Sequence, residues 1–226
     1  MRTRVSSTGQ AVRSFIDAAR RAQIIAAAIE TIADVGFSQA SLARIADRLG
    51  ISKGVISYHF AGKDELIREI VNEVYAAAGA FIEPRMQPES TAASRLRAYV
   101  ESEIAFMRAY PTYLRALVEV FSNFRTPEGK LHYDDTKEEE QRIALVEEIL
   151  VAGQRDDEFR GFSPRVMAIA VAGAIDGVLI QWVANPALDL ELCARELVTM
   201  FDRATRRDCA EMRPAGACGG NKGVNT

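Results

Sequence analysis

Apolar residues recur along this chain at helical spacing and almost nowhere alternate as they would in strands. Between Ala22 and Val35, Ile25, Ile29 and Ile32 fall at i, i+4 and i+7 with Ile24 and Ala28 beside them, one stripe of a helix that Gly36 ends. A second, short helix follows Ser41, whose hydroxyl is placed to cap it, and shows a core face of Leu42, Ile45, Ala46 and Leu49. Gly50 breaks the pattern, Ile51 supplies one apolar side chain, and Ser52 offers another cap. From Lys53 to Phe60 a third helix has only Ile56 and Phe60 to turn inward. A fourth starts at Lys63, carries Asp64 and Glu65 where the helix dipole favours carboxylates, and runs through Leu66, Ile70 and Val74.

Pro84 and Pro88 predict a break over Glu83–Ser90 and hence a domain boundary. Beyond it, helical patterns recur at about Thr91–Ala109, Thr112–Phe124, Thr136–Ala152, Pro164–Val183 and Leu188–Arg206, with prolines, glycines and Asn185 between them. The pattern is that of an all-α protein. Its expected layout is a basic flexible arm over 1–20, a compact helical domain with its linking helix over 21–80, a larger helical domain over 81–207, and a glycine-rich mobile tail over 208–226.

The 226 residues, 48% hydrophobic and 26% charged, exclude collagen-like, low-complexity and wholly disordered chains. Cys193, Cys209 and Cys218 are odd in number and lack metal-ligand spacing, which argues against a disulfide scaffold and for a reducing cytoplasm. The first 21 residues hold five arginines but no apolar run that could act as a secretory signal. Val166–Val183 reaches membrane length only by accepting Asp176 and Gln181 near its centre, and is read as a buried helix, with no membrane partner expected. His59 and His132 are the only histidines, neither sits in a zinc-like spacing, and no glycine-rich phosphate loop occurs. An enzyme, a metal site and a cofactor are therefore not expected.

The net charge of −3 conceals an asymmetry. Residues 1–60 carry eight Arg and Lys against four acids, and residues 71–226 carry 18 against 24. A basic head on an acidic body suits contact with phosphates at one end, or else a basic arm with no partner. The helix–turn–helix at Ser41–Phe60 sharpens the first reading. With Ile56 and Phe60 inward, Lys53, Gly54, Val55, Ser57, Tyr58 and His59 are left for something outside the domain, which is what reading a major groove requires. The alternatives are a plain helical hairpin and an adaptor that keeps this shape as a relic.

The string Ser41-Leu-Ala-Arg-Ile-Ala-Asp-Arg-Leu-Gly-Ile-Ser-Lys-Gly-Val-Ile-Ser-Tyr-His-Phe60, followed by Lys63-Asp-Glu-Leu66, resembles the DNA-binding domain of the TetR family of transcriptional repressors over about Arg20–Val71. The resemblance implies a homodimer that binds a near-palindromic operator and a C-terminal domain that binds a small molecule and releases the DNA. By position it makes Lys53, Gly54, Val55, Ser57, Tyr58 and His59 the recognition helix, and Ser41, Arg44, Ser52 and Lys63 flanking contacts, mostly to phosphate. Ser57 stands where the family often has an aromatic, which leaves operator preference open. Activation in place of ligand-released repression is the other output open to such a chain.

Two features of the second half complete the reading. Pro164–Val183 is apolar on nearly all faces, and Leu197 and Phe201 continue the signature, so the resemblance places a dimer interface over about Pro164–Arg203, with Ala170, Gly173, Ala174 and Gly177 allowing close approach. Phe106, Tyr110, Tyr113, Phe121 and Phe124, with Gln181 and Trp182, suit a pocket for a small apolar or aromatic ligand. Asp176, inside the most apolar helix, either binds a cationic group of that ligand or pairs with an arginine.

Overall fold

The computed structural model describes residues 7–125 and 137–207, with side chains from Ser14 onward. Its described residues form nine helices: α1 (Ser7–Val35), α2 (Leu42–Leu49), α3 (Lys53–His59), α4 (Lys63–Met86), α5 (Ala92–Ala109), α6 (Pro111–Asn123), α7 (Lys137–Arg155), α8 (Pro164–Ala184) and α9 (Leu190–Thr205). The architecture is all-α, as the periodicity predicts. The tail over 208–226, Cys209, Cys218 and His132 lie outside the described residues.

Local chemistry starts and stops these helices. Gly36 ends α1 with φ +79°, and its N–H donates to the Ile32 carbonyl at 2.9 Å. Thr91 and Ser94 cap α5 reciprocally, and Asp189 caps α9 by accepting from the Leu192 N–H at 3.0 Å. Proline opens α6 and α8 at the first helical position, where a missing N–H leaves no bond unmade.

Two expected boundaries are moved. The segment read as a flexible arm is helical from Ser7, and α1 runs unbroken for 29 residues. No apolar stripe announced this, because Phe15 and Ile16 face solvent; intrinsically good helix formers such as Ala18, Ala19, Arg20 and Arg21 carry the helix instead. The break expected at Glu83–Ser90 is shifted as well, since α4 continues through Pro84 to Met86. Pro84 sits in the last turn on an exposed face, so the single bond it removes is to an Ala80 carbonyl at an exposed position.

The head comprises α1, α2, α3 and the first half of α4, around Ile24, Ala28, Ile29, Ile32, Ile45 and Ile56. In the body, α5 lies against α4, α7 and α9, and α8 packs on α7. Because α4 belongs to both parts, no break in the chain separates them. A second joint lies between α1 and α6. There the Phe37 N–H donates to Glu119 Oε2 at 3.0 Å, and the Phe37 and Phe124 rings meet at 5.8 Å between centroids.

The α7–α8 connection is clamped to α9. The Arg160 N–H donates to the Thr205 carbonyl at 2.9 Å, and its Nε donates to the Ala204 carbonyl at 2.8 Å. This clamp leaves no room at Gly153, where an added Cβ would overlap the buried Phe159 ring and come within 2.9 Å of the Ala92 Cβ. Gly153→Ala should therefore lower stability by about 1–3 kcal/mol through overpacking. Gly161→Ala, with nothing within 4 Å of the new methyl, should be near neutral; paired denaturant titrations check the difference.

Candidate nucleic-acid interface

The turn between α2 and α3 is built from short-range bonds. Ser41 is extended (φ −83°, ψ 156°), and its hydroxyl accepts from the Arg44 N–H at 3.2 Å. Gly50 takes the left-handed conformation (φ 64°, ψ 31°), its N–H reaches the last-turn carbonyls of α2, and the Ile51 N–H follows to Ala46 O at 3.0 Å. Ser52 has the backbone of a cap but makes no side-chain cap bond, contrary to expectation. Its hydroxyl is left exposed to solvent.

This geometry presents α3 in two halves. Ile56 and Phe60 are buried, and Ser52, Lys53, Gly54, Ser57 and Tyr58 are exposed, Tyr58 to 78%. Val55 and His59 are half-buried at the edge, the imidazole meeting the Tyr58 ring edge-on at 5.0 Å. Ser41 and Arg44 are exposed at the start of α2, with Arg44 Nη1 3.3 Å from Gln39 Oε1.

Three cations of the basic head turn out to be structural. Arg21 donates to the His59 carbonyl, lies 4.3 Å from the Phe60 ring centroid and pairs with Glu69 at 3.3 Å, so it seals the carbonyl end of α3. Arg48 pairs with Glu30 at 2.9 Å and with Asp34, tying α2 to α1. Lys63, expected to contact phosphate, instead donates its Nζ to the Phe37 carbonyl at 2.9 Å and stands 4.2 Å over the Phe37 ring. Burial lowers its pKa from the ordinary lysine value. Sequence spacing could not show these roles, because the partners lie 26 to 48 residues away.

The body contains two cavities that meet. One, of about 640 Å³, lies among α4, α5 and α7 with Tyr75, Tyr99, Glu103 and Arg142 in its wall; the other, of about 250 Å³, is walled by α4, α5, α6, α7 and α8 and includes Phe106, Phe121 and Asp176. Tyr110 and Tyr113 back the wall, with Phe106 and Tyr110 stacked at 4.6 Å and Tyr110 and Tyr113 edge-on at 5.6 Å. Three residues expected in the pocket are elsewhere. Phe124 packs on Phe37 at the head, and Gln181 and Trp182 line neither cavity. Asp176 resolves in favour of an arginine: Arg142 Nη2 reaches it at 2.7 Å and Glu139 Oε1 at 2.9 Å. Glu103 was missed, although it follows Tyr99 by four residues within a stripe of buried residues and is the one acid in that stripe.

On α8, the expected Ala170, Gly173 and Gly177 are exposed, and Val166 (65%), Ile169 (49%) and Ile180 (54%) extend the same apolar stripe. Ala174 and Leu197 are half-buried. Phe201 is not free for a partner, being buried within its own chain against α5. By length and composition alone α8 could cross a membrane, with 21 residues and mean hydropathy 1.9. Its other faces are taken, since it packs on α7 and Asp176 is bonded to Arg142.

A helix–turn–helix head with an outward polar helix, joined through a shared helix to a cavity-bearing helical body, defines a ligand-sensing DNA-binding class of fold. Comparison with known proteins agrees on its type. The family described as bacterial regulatory proteins, tetR family, matches residues 24–70. The regulator BetI of Cronobacter sakazakii is 30% identical over 195 residues, covering 81% of this chain and 89% of that one. BetI 1 of Chromohalobacter salexigens is 29% identical over 172 residues, covering 74% and 80%. Among solved structures, a TetR-family regulator from Rhodococcus sp. superposes with TM-score 0.73 at 20% identity over 81% of this chain and 97% of that one. The fatty acid degradation regulator FadR of Bacillus halodurans gives 0.68 at 21% identity, covering 80% and 93%. The chain belongs to the TetR family of bacterial transcriptional regulators and is not an enzyme.

The two serines before α2 and α3 separate capping from contact. Ser41→Ala should cost ~1 kcal/mol, because it removes the bond to the Arg44 N–H. Ser52→Ala should leave the thermal midpoint near that of the parent, since no cap bond is lost.

Proposed function

We propose that this regulator binds operator DNA as a homodimer through α3 and releases it when a small molecule enters the body. The observation that carries the reading is the exposed polar half of α3, above all Tyr58, held outward by the burial of Ile56 and Phe60. Lys53, Gly54, Val55, Ser57, Tyr58 and His59 read the major groove, and Ser41, Arg44 and Ser52 hold phosphates. Lys63 acts through the turn it braces. The head (21–80) and the body (81–207) share α4, and the target is chromosomal DNA in the cytoplasm.

Dimerisation explains the bare stripe on α8. Val166, Ile169, Ala170, Gly173, Gly177 and Ile180 lie on one face, and a second α8 laid against it removes that apolar surface from water. The dimer would set its two α3 helices about one duplex turn apart, roughly 34–36 Å. The effector is a small molecule with an apolar or aromatic body. Both cavities contact α4, and the smaller also contacts α6, which grips the head at Phe37. Displacing either helix changes the spacing of the two heads.

Two measurements test this. In a gel-shift titration against the DNA upstream of its own gene, the protein should bind, and four phosphate contacts per dimer predict roughly a 100-fold loss of affinity between 50 and 200 mM salt. Tyr58→Ala with Lys53→Ala should abolish binding and keep the dimer; salt-independent association contradicts the reading. On size exclusion, Ile169→Glu should convert dimer to monomer, and an unchanged profile removes α8 from the interface.

A further inference from the structure

The two cavities meet at a cluster of charge that is not balanced. Arg142 is the cation at its centre, and Glu139 and Asp176 take its Nε and Nη2: Nε to Glu139 Oε2 at 3.0 Å, Nη2 to Glu139 Oε1 at 2.9 Å and to Asp176 Oδ2 at 2.7 Å. Glu103, on α5, faces both cavities and meets no donor in hydrogen-bonding geometry among the described residues. Protein surrounds it, yet part of its surface stays open, and that surface faces the cavity. The rest of the larger wall adds acid, with Glu83, Glu89 and Glu138 against Arg95.

Beside Glu103 and Arg142 stands the Tyr99 hydroxyl, on a residue 1% exposed, which reaches hydrogen-bonding geometry with neither. A buried hydroxyl without a partner is disfavoured by its lost hydration, and its native justification is a ligand atom or water that it meets. Tyr75 and Tyr99 supply aromatic faces in the larger cavity, and Phe106 and Phe121 in the smaller.

These features discriminate among ligand charges. An anion would enter a wall with more carboxylates than guanidiniums. A neutral apolar molecule would strip the remaining water from Glu103 and Tyr99 and return nothing to them. A cation offsets the excess acid and finds aromatic faces to lie against. Among the described residues no three acid, histidine or cysteine side chains converge in a way that could hold a metal ion, and the cavity volumes suit an organic molecule.

We infer that the effector is an organic cation whose ammonium group sits at the junction beside Glu103, Tyr99 and Asp176, with its apolar body directed between Leu117 and Phe121 on α6. This rests on the reading of the body as the effector-binding part. It also gives α6 its place in release, because the helix touched by the body of the ligand is the one that holds Phe37 through Glu119. Burial holds the Glu103 pKa above the usual carboxylate value, partly countered by Arg142. A neighbouring ammonium would favour the ionised form.

The test is calorimetry on the full-length protein with three probes of similar size: benzyltrimethylammonium, benzyl alcohol and phenylacetate. The cation should bind at least tenfold tighter than either of the others. Glu103→Gln should weaken the cation about tenfold and leave benzyl alcohol unchanged. Tyr99→Phe, which removes an unpartnered hydroxyl and should not lower the thermal midpoint, should weaken the cation severalfold and decides the matter if Glu103→Gln fails to fold. No preference for the cation, or variants that bind it as the parent does, overturns the inference. Gel shifts on the same preparations separate the two readings. DNA released by the neutral or anionic probe and not by the cation sinks the cation site and leaves the regulator standing. Cation binding by a protein that holds no DNA does the reverse.

Discussion

Two buried side chains, Ile56 and Phe60, decide what the rest of α3 is for. Each contributes about 1.5–3 kcal/mol by leaving water, and together they fix a seven-residue helix that could not persist alone. Once they are inward, the helix has one orientation, and its remaining side chains face solvent. Arg21 reinforces this from the far end by closing the His59 carbonyl and covering the Phe60 ring. The polar surface is thus a consequence of packing behind it. DNA reading is a use of that surface.

The second constraint is Phe37, just past the end of α1. Its N–H is held by Glu119 of α6, its carbonyl by Lys63 of α4, and its ring lies between the Lys63 ammonium and Phe124. Three helices therefore meet on one residue. A displacement in the body reaches the head by two routes, the shared α4 and the α6 grip. Rigid coupling of this kind makes the head follow the body as a unit.

What was legible in the sequence is what short-range physics controls. Ser41, Gly50, Ile56 and Phe60 act within one or two turns of themselves, and caps, breaker and core residues could be read from spacing alone. Helix α8 was legible from composition, because a helix apolar all round needs cover on all sides. What stayed hidden depends on partners far away in the chain. Arg21 and Lys63 look like free cations until the fold brings His59 and Phe37 to them. Phe124 and Trp182 are aromatic like the cavity-lining Phe106 and Phe121, and only placement separates them. Pro84 misled because a proline in a final turn costs one exposed bond and leaves the helix intact.

The central claim is that the open half of α3 lies in a major groove, twice per dimer. Dimethyl sulfate footprinting on the bound upstream DNA measures this most directly, because it reports guanine N7 in that groove. The account predicts two protected patches centred about one helical turn apart, both lost when Tyr58 and Lys53 are replaced by alanine. Strong binding that leaves every N7 reactive, or protection that survives those replacements, would contradict it.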